Sequence, residues 1–225
     1  GSGRVTRALL RRGFLVKGLD LSSPMLSRAK ESISRLPIRF RENADLVEAD
    51  ARDFSLDKKY PLIIMAFNSF EHMYDRVDIE QCLKRVQQHL SPNGLFVFDV
   101  QMPDLQWLMK DPGKRWSRSK FKHPITRQWL QYSTNHVYDT VTQIVHIRVY
   151  YAPLEDGPLK AEKTIELCQR KFFPAELSSL LHYNGFNIQQ SYGDFEGSLL
   201  DDDAESQILI CSKSDTVFPP SEVSA

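Results

Sequence analysis

The sequence is poor in cysteine, has no excess of either charge and contains no long apolar run. Its three cysteines, Cys82, Cys168 and Cys211, are widely spaced and form no Cys-x-x-Cys pair. This spacing argues against a disulfide framework and against a metal site such as zinc. Because 29 basic residues balance 29 acidic ones, no overall field attracts nucleic acid or an anionic membrane. No apolar stretch approaches the roughly 20 residues of a membrane span, so we expect a soluble protein. The unpaired cysteines fit a reducing compartment, so we expect it to be cytoplasmic.

The length and the two ends of the chain indicate how it is organised. With 225 residues and 41% hydrophobic content, the chain can bury one sizeable core, and we expect one domain with an insertion. The opening Gly-Ser-Gly-Arg is neither a signal peptide nor a targeting helix. The segment 214–225 holds two prolines and few apolar residues, which predicts a disordered tail.

Short apolar segments alternate with amphipathic segments over the first part of the chain. Helical periodicity extends from Gly3 to Arg12, and Gly13 then ends the helix. Strands are predicted at 14–19, 46–49, 62–66 and 95–98, helices at 22–36 and 78–90, and a turn at 91–94. Parallel strands need crossover connections, which are usually helical, so this alternation predicts an α/β fold.

The stretch from Met102 to about Phe172 breaks the alternation. After a short helix, apolar and polar side chains alternate with a period of two, as at 145–151, which is typical of strands with one buried face. We therefore predict an antiparallel insertion in this stretch. A helix at 174–183 and strands at 186–192 and 206–212 follow it.

Candidate ligand-binding residues follow the predicted strands, at the edge where such sheets bind ligands. Gly1 and Gly3 open the first helix, where a glycine turn admits a ligand and free N–H groups favour an anion. Asp20 ends the next strand 17 residues after Gly3, close to the ~20-residue offset at which an acid binds ribose hydroxyls. Asp50 follows the strand at 46–49, where a carboxylate can accept the exocyclic amine of a purine.

The loop from Phe67 to His72 follows the next strand and mixes apolar and polar side chains suited to one wall of a cleft. Each candidate also has a simpler interpretation. The glycines can be a cloning remnant, Asp20 a helix cap, Asp50 a solvated loop acid and His72 a structural side chain. Because these features occur in order at consecutive strand ends, they together predict a nucleotide-type cofactor site.

These motifs resemble those of class I, Rossmann-like methyltransferases that depend on S-adenosylmethionine. The resemblance rests on Gly-Ser-Gly-Arg at the start, Gly-Leu-Asp-Leu-Ser at 18–22, Glu-Ala-Asp-Ala-Arg-Asp-Phe at 48–54, Phe-Asn-Ser-Phe-Glu-His at 67–72 and Leu-Ser-Pro-Asn-Gly at 90–94. Segments 169–177, 183–186 and 192–197 look like the bacterial small-molecule branch, which includes amino-sugar N-methyltransferases. The family has an earlier glycine and a strand before this motif, so we expect an N-terminally incomplete chain.

The strand–helix alternation, the period-two pattern and the resemblance together predict a fold. This is a doubly wound, mostly parallel sheet with helices on both faces, an antiparallel last strand, and an antiparallel β insertion after the fifth strand. The cofactor-binding half would be 1–101, the insertion covering the acceptor site 102–172, and the segment completing the sheet 173–213.

The resemblance also implies a cofactor site and a reaction. The methyl group of S-adenosylmethionine would pass to an N or O atom of a small-molecule acceptor by in-line displacement, leaving S-adenosylhomocysteine. The implied contacts are Gly1 and Gly3 at the methionine moiety, Asp20 at the ribose, Leu21 and Met25 beside the adenosine, Asp50 and Ala51 at the adenine, and Phe67 near the sulfonium. His72 is the first candidate base because imidazoles exchange protons near neutral pH. Tyr151 and Arg170 are candidates for positioning the acceptor.

Other functions compete with this interpretation. Six basic residues interleaved with Trp116 and Phe121 in 110–122 are compatible with an RNA or other nucleic-acid methyltransferase, although such a charged run is more often a solvated loop. A non-catalytic module with a methyltransferase fold is the second alternative, since no residue is an unmistakable catalyst. A nicotinamide-dependent dehydrogenase fits less well, because Thr6 stands where the third glycine of its motif is needed.

Overall fold

The computed structural model describes residues 1–214 and has an α/β fold. Its elements are α1 (Arg4–Arg11), β1 (Val16–Asp20), α2 (Ser23–Ser34), α3 (Ile38–Arg41), β2 (Ala44–Glu48), β3 (Tyr60–Met65), a 3₁₀ turn (Ser69–His72), α4 (Arg76–His89), β4 (Leu90–Gln101), α5 (Leu105–Leu108), β5 (Trp116–Lys122), β6 (Trp129–Asp139), β7 (Ile144–Pro153), β8 (Lys163–Arg170), α6 (Pro174–Tyr183), β9 (Phe186–Tyr192) and β10 (Ser206–Lys213). The tail predicted at 214–225 lies outside the described residues except for Ser214. In the described part of the chain, no helix combines the length and the apolar character needed to cross a membrane.

Local sequence signals explain where the main helices begin. Ser22 caps α2 by accepting the N–H of Met25 at 3.4 Å, and Asp75 caps α4 by accepting the N–H of Asp78 at 2.8 Å. Gly13 has a φ of 86° just after α1, a conformation that a glycine adopts without strain. The predicted positions of these helices are therefore confirmed to within a few residues.

The strands outside the insertion form two sheets instead of the predicted single one. β1 pairs with β2 in parallel, while the second sheet has the order β3-β4-β10-β9. In that second sheet β3 and β4 are parallel, and β10 is antiparallel to both β4 and β9. The antiparallel last strand is thus confirmed, but a mostly parallel single sheet is wrong. A single sheet would need a strand that pairs with both β1 and β3, and the described residues contain none.

The insertion forms a sheet of its own. Strands β5 to β8 are antiparallel neighbours in sequence order, and all four lie within the predicted range 102–172. The turn predicted at 91–94 is wrong, because β4 continues through it. The pairing of β4 with β3 instead shifts register between Tyr60 and Leu62, which accommodates the Pro-Asn-Gly sequence as an irregularity within the strand.

A cluster of aromatic rings places the loop after β3 against the core. Phe70, in the 3₁₀ turn, is fully buried between Phe98 at 5.0 Å and Phe172 at 5.2 Å between ring centroids. Burying one such ring contributes about 1.5–3 kcal/mol. Because Phe172 is the last residue of the insertion, this cluster joins the insertion to the part of the chain that precedes it.

Candidate functional site

The glycine turn and Asp20 lie side by side in the structure. Gly3 has a φ of 79°, and a Cβ added there would lie 3.1 Å from the Cβ of Ala29, so a larger residue would push α1 away from α2. The carboxylate of Asp20 contacts the amino group of Gly1, and its Oδ1 accepts the N–H of Ser22 at 2.8 Å. The turn therefore combines the positive end of α1 with an acceptor carboxylate.

Apolar surface borders the Asp20 carboxylate. Leu21 is exposed and Met25 is half-buried, and both lie at the start of α2. The side chain of Leu26, one residue further on, is instead buried against the fold. Leu21 and Met25 thus offer uncommitted hydrophobic surface next to a polar group, as an adenosine site requires.

Asp50 is held by an arginine that the motif pattern did not single out. Its Oδ1 accepts the backbone N–H of Arg52 at 2.8 Å, and its Oδ2 accepts from the guanidinium at 2.6 Å. The guanidinium also reaches Asp78 at 2.7 Å, in the first turn of α4. Arg52 lowers the pKa of Asp50 below the usual value for a carboxyl group. Ala51, between them, is half-buried against the main core.

Two consecutive residues with left-handed backbone begin the loop after β3. Phe67 has a φ of 65° and Asn68 a φ of 56°, which is uncommon for residues other than glycine. Their N–H groups donate to the two carboxylate oxygens of Asp99, at 2.8 and 2.9 Å. The ring of Phe67 is 73% exposed and lies 4.6 Å from the guanidinium carbon of Arg4. This geometry presents an aromatic face beside the start of α1.

His72 and Arg170 converge on a tyrosine. The Nδ1 atom of His72 lies 3.2 Å from the hydroxyl of Tyr74, which donates to the carbonyl of Cys168 at 3.1 Å. Arg170 donates to the backbone carbonyl of Tyr74 at 3.3 Å and pairs with Glu176 at 2.6 Å. Burial raises the pKa of Tyr74, and the nearby Cys168 and Asp78 raise it further. The structure thus joins the loop after β3 to the edge of the insertion sheet.

Tyr151 lies elsewhere on the insertion sheet. In the pairing of β7 with β8, it faces Lys163, while Arg170 faces Ile144 at the other end. Seven residues of extended strand separate these positions, or roughly 23 Å. Tyr151 packs edge-on against Phe121 at 6.0 Å, as part of an aromatic cluster. It is therefore far from the group formed by His72 and Arg170.

A cavity of about 580 Å³ opens on the face of the insertion sheet that includes Cys168. The thiol of Cys168 lies 3.3 Å from Nδ1 of His146, and Arg148 pairs with Glu166 at 3.1 Å on the adjacent row. Asn135 completes that row and donates to the carbonyl of Pro112 at 2.7 Å. Through Cys168, this polar cavity adjoins the Tyr74 contact.

Comparison with known proteins finds similarity to methyltransferases. Residues 1–94 match the family model described as a methyltransferase domain. A putative methyltransferase of Bacillus subtilis (strain 168), YqeM, is 23% identical over 227 residues, which cover 96% of this chain and 83% of that protein. The dTDP-3-amino-3,6-dideoxy-alpha-D-glucopyranose N,N-dimethyltransferase of Streptomyces fradiae is 31% identical over 101 residues, covering 44% of this chain and 36% of the relative.

Solved structures share the fold over most of the chain. The CcbJ methyltransferase from Streptomyces caelestis matches with a TM-score of 0.80 and 19% identity, covering 95% of this chain and 80% of that one. The glycopeptide N-methyltransferase MtfA, solved with S-adenosylmethionine, matches with a TM-score of 0.64 and 19% identity, covering 95% and 78%. The fold is that of class I, Rossmann-like methyltransferases. This chain is an S-adenosylmethionine-dependent methyltransferase, as its motifs predicted.

The groups at the strand ends fit this cofactor chemically. Its carboxylate requires hydrogen-bond donors, and the N-terminus of α1 has no side-chain cap in the described structure that would compete for its N–H groups. Its ribose hydroxyls require an acceptor such as Asp20, and its adenosine requires apolar surface such as Leu21. Three groups at the strand ends, namely the N–H groups of α1, the Asp20 carboxylate and the Leu21 side chain, therefore match three parts of the cofactor.

Proposed function

We propose that the enzyme methylates an amine nitrogen of a small polar acceptor, bound where the insertion sheet meets the loop from Phe67 to Tyr74. The convergence of His72 and Arg170 on Tyr74 supports this proposal most directly. It brings a candidate base and a cation to the edge of the cofactor half. A related enzyme dimethylates the amine of a nucleotide-linked sugar, and MtfA is named for N-methylation of a glycopeptide.

The cofactor would lie along the ends of β1, β2 and β3. Gly1 and Gly3 would hold the methionine end, Asp20 the ribose, Leu21 and Met25 the adenosine, Asp50 and Ala51 the adenine, and Phe67 the neighbourhood of the sulfonium. When bound, the cofactor supplies a methyl group already activated on sulfur. The chain mainly has to orient the acceptor and exclude water. Since both oxygens of Asp50 already accept from Arg52, we propose that adenine recognition relies mainly on the Ala51 backbone.

The hydrogen bonds of Tyr74 indicate which ring nitrogen of neutral His72 carries the hydrogen. The hydroxyl of Tyr74 donates its proton to the Cys168 carbonyl, so it can only accept from His72. Nδ1 of His72 then carries the proton, and the free Nε2 has a lone pair. We propose that Nε2 takes a proton from the acceptor ammonium, which frees the nitrogen lone pair for in-line attack.

The cavity on the insertion sheet would hold the rest of the acceptor. Its volume of about 580 Å³ lies within the range of small-molecule sites, about 300–1,000 Å³. Arg148 and Glu166 present both signs of charge there, which suits a molecule with several polar substituents. Arg170 would fix the loop edge next to it, whereas Tyr151 would act at most from the distant end of the sheet.

The basic segment 110–122 has local partners, which supports a small acceptor over a nucleic acid. Arg115 forms two hydrogen bonds with Glu162 and lies 3.6 Å from the ring centre of Tyr150. The ammonium of Lys110 covers the ring of Trp116 at 4.7 Å. A nucleobase would have to displace these contacts in order to stack on the rings of Trp116 or Tyr150.

Deuterated methyl transfer, followed by mass spectrometry, tests the proposal. The donor would be S-adenosylmethionine labelled with CD₃, and the acceptors an amino-sugar nucleotide, sarcosine, the hydroxyl analogue of the amino sugar, and RNA. We expect label on an amine acceptor and none on the hydroxyl analogue. Label on RNA, or on the hydroxyl analogue alone, would contradict the proposed acceptor class.

A further inference from the structure

A buried ion pair joins the end of the insertion to the loop that borders the candidate site. The Nζ atom of Lys171 lies 2.8 Å from Oε2 of Glu71, and the two side chains are 2% and 0% exposed. Lys171 also donates to the side chain of Gln101, at the end of β4. Removing two charges from water is costly, and an apolar pair of similar volume is often as stable or more so. Stability alone therefore does not explain this pair.

The loop from Phe67 to His72 is hydrogen-bonded to β4 at both of its ends. At the loop's beginning, Asp99 accepts the N–H groups of Phe67 and Asn68. At its end, Oε1 of Glu71 accepts the backbone N–H of Gln101 at 2.8 Å, two residues further along the same strand. The orientation of Glu71 thus fixes the position of the neighbouring His72.

We propose that Lys171 is a positioning residue, whose charge holds Glu71 and so sets the loop at both the cofactor side and the acceptor side. The inference rests on the proposed placement of the cofactor beside Phe67. Lys171 enters from the insertion, while Glu71 and Gln101 belong to the cofactor half. The pair therefore links the two halves directly, at the opposite end of the loop from the contacts that Asp99 makes with Phe67 and Asn68.

A charge-neutral double variant separates positioning from stability. Lys171→Met alone leaves a buried carboxylate unpaired and is expected to destabilise the whole fold. In Glu71→Gln/Lys171→Met, the amide oxygen at position 71 can still accept the N–H of Gln101, and neither member of the former pair carries a charge. Lys171→Arg keeps the charge, and Lys163→Met, at the exposed far end of β8, serves as the control.

Hydrogen exchange and calorimetry with S-adenosylhomocysteine provide the readouts. In the double variant, we expect near wild-type thermal stability. The amides at 66–74 should exchange about tenfold faster than in the wild type, while the α4 amides keep their wild-type rates. Binding of S-adenosylhomocysteine should be about tenfold weaker. Lys171→Arg should keep slow exchange at 66–74. Wild-type exchange and affinity in the double variant, or equal acceleration in α4, would overturn the positioning role. Failure of the wild-type protein to bind the probe would instead count against the proposed cofactor placement.

Discussion

Asp99 accepts the backbone N–H of Phe67 at 2.8 Å, across 32 residues of sequence. Its second oxygen accepts the N–H of Asn68, so one buried carboxylate satisfies both left-handed residues of the loop. Such backbone conformations cost about 1–3 kcal/mol each outside glycine. The shape of the loop next to the proposed cofactor site therefore depends on a side chain from the neighbouring strand.

Asp99→Asn should break one of these two hydrogen bonds, because the amide nitrogen would face a backbone donor. We expect the free energy of unfolding to fall by about 2 kcal/mol, with weaker binding of S-adenosylmethionine. Urea denaturation and calorimetry measure the two effects. Asp104→Asn is the matched control, since Asp104 caps the exposed start of α5 by accepting the N–H of Trp107 at 3.0 Å. Equal stabilities of the Asp99 and Asp104 variants would contradict the role of Asp99.

His72→Ala should lower turnover far more than cofactor affinity. General-base contributions are typically about 10²–10⁴-fold in rate. Steady-state kinetics with the amine acceptor identified by deuterium labelling measures turnover. Calorimetric titration with S-adenosylmethionine measures cofactor affinity. His123→Ala removes a partly exposed imidazole that lies outside the candidate site and should leave turnover and cofactor affinity unchanged. Unchanged kinetics in His72→Ala would remove its catalytic role.

Thiol labelling should distinguish the three cysteines. Burial raises the pKa of Cys82 and of Cys211 to about 12, so both thiols stay protonated and enclosed. Cys168 is partly exposed beside the cavity. Iodoacetamide at pH 8, read out by peptide mass spectrometry, should modify Cys168 in the native protein and all three after denaturation. Native modification of Cys82 at the rate of Cys168 would show that the core around α4 is open.

Arg52→Gln should reduce the acid sensitivity of the fold. Arg52 lowers the pKa of Asp50 in the folded state, so this pair stabilises the protein above the unfolded pKa, about 3.9. That contribution is lost as the pH falls through the lowered folded value. Since both side chains are partly exposed, we expect the wild type to lose only about 1 kcal/mol more than the variant between pH 6 and pH 3. Parallel losses in urea titrations at the two pH values would contradict this.

Much of the secondary structure could be predicted because its signals are local. Ser22 and Asp75 cap helices, and α6 occupies the predicted residues Pro174–Tyr183. The arrangement of sheets could not be predicted in the same way, because strand pairing depends on contacts between distant residues. The split between β1 and β3 and the irregularity within β4 both belong to this second kind.

The candidate site was predictable only in part for the same reason. Asp20 ends β1 and Phe67 comes shortly after β3, so their positions could be deduced. Tyr74 and Asp99 act through partners 94 and 32 residues away, and neither carries a motif of its own. Tyr151 shows the opposite case, since its strand was predicted but the register that separates it from Arg170 was not.

Calorimetric titration of S-adenosylmethionine into three proteins tests the cofactor site most directly. These are the wild type, Asp20→Ala, and Asp45→Ala, which removes an exposed acid on β2 that pairs with Lys17. We expect saturable binding to the wild type and to Asp45→Ala, and affinity weakened about tenfold or more in Asp20→Ala. Equal affinity in all three proteins would contradict the assignment of Asp20 and with it the proposed path of the cofactor along the strand ends.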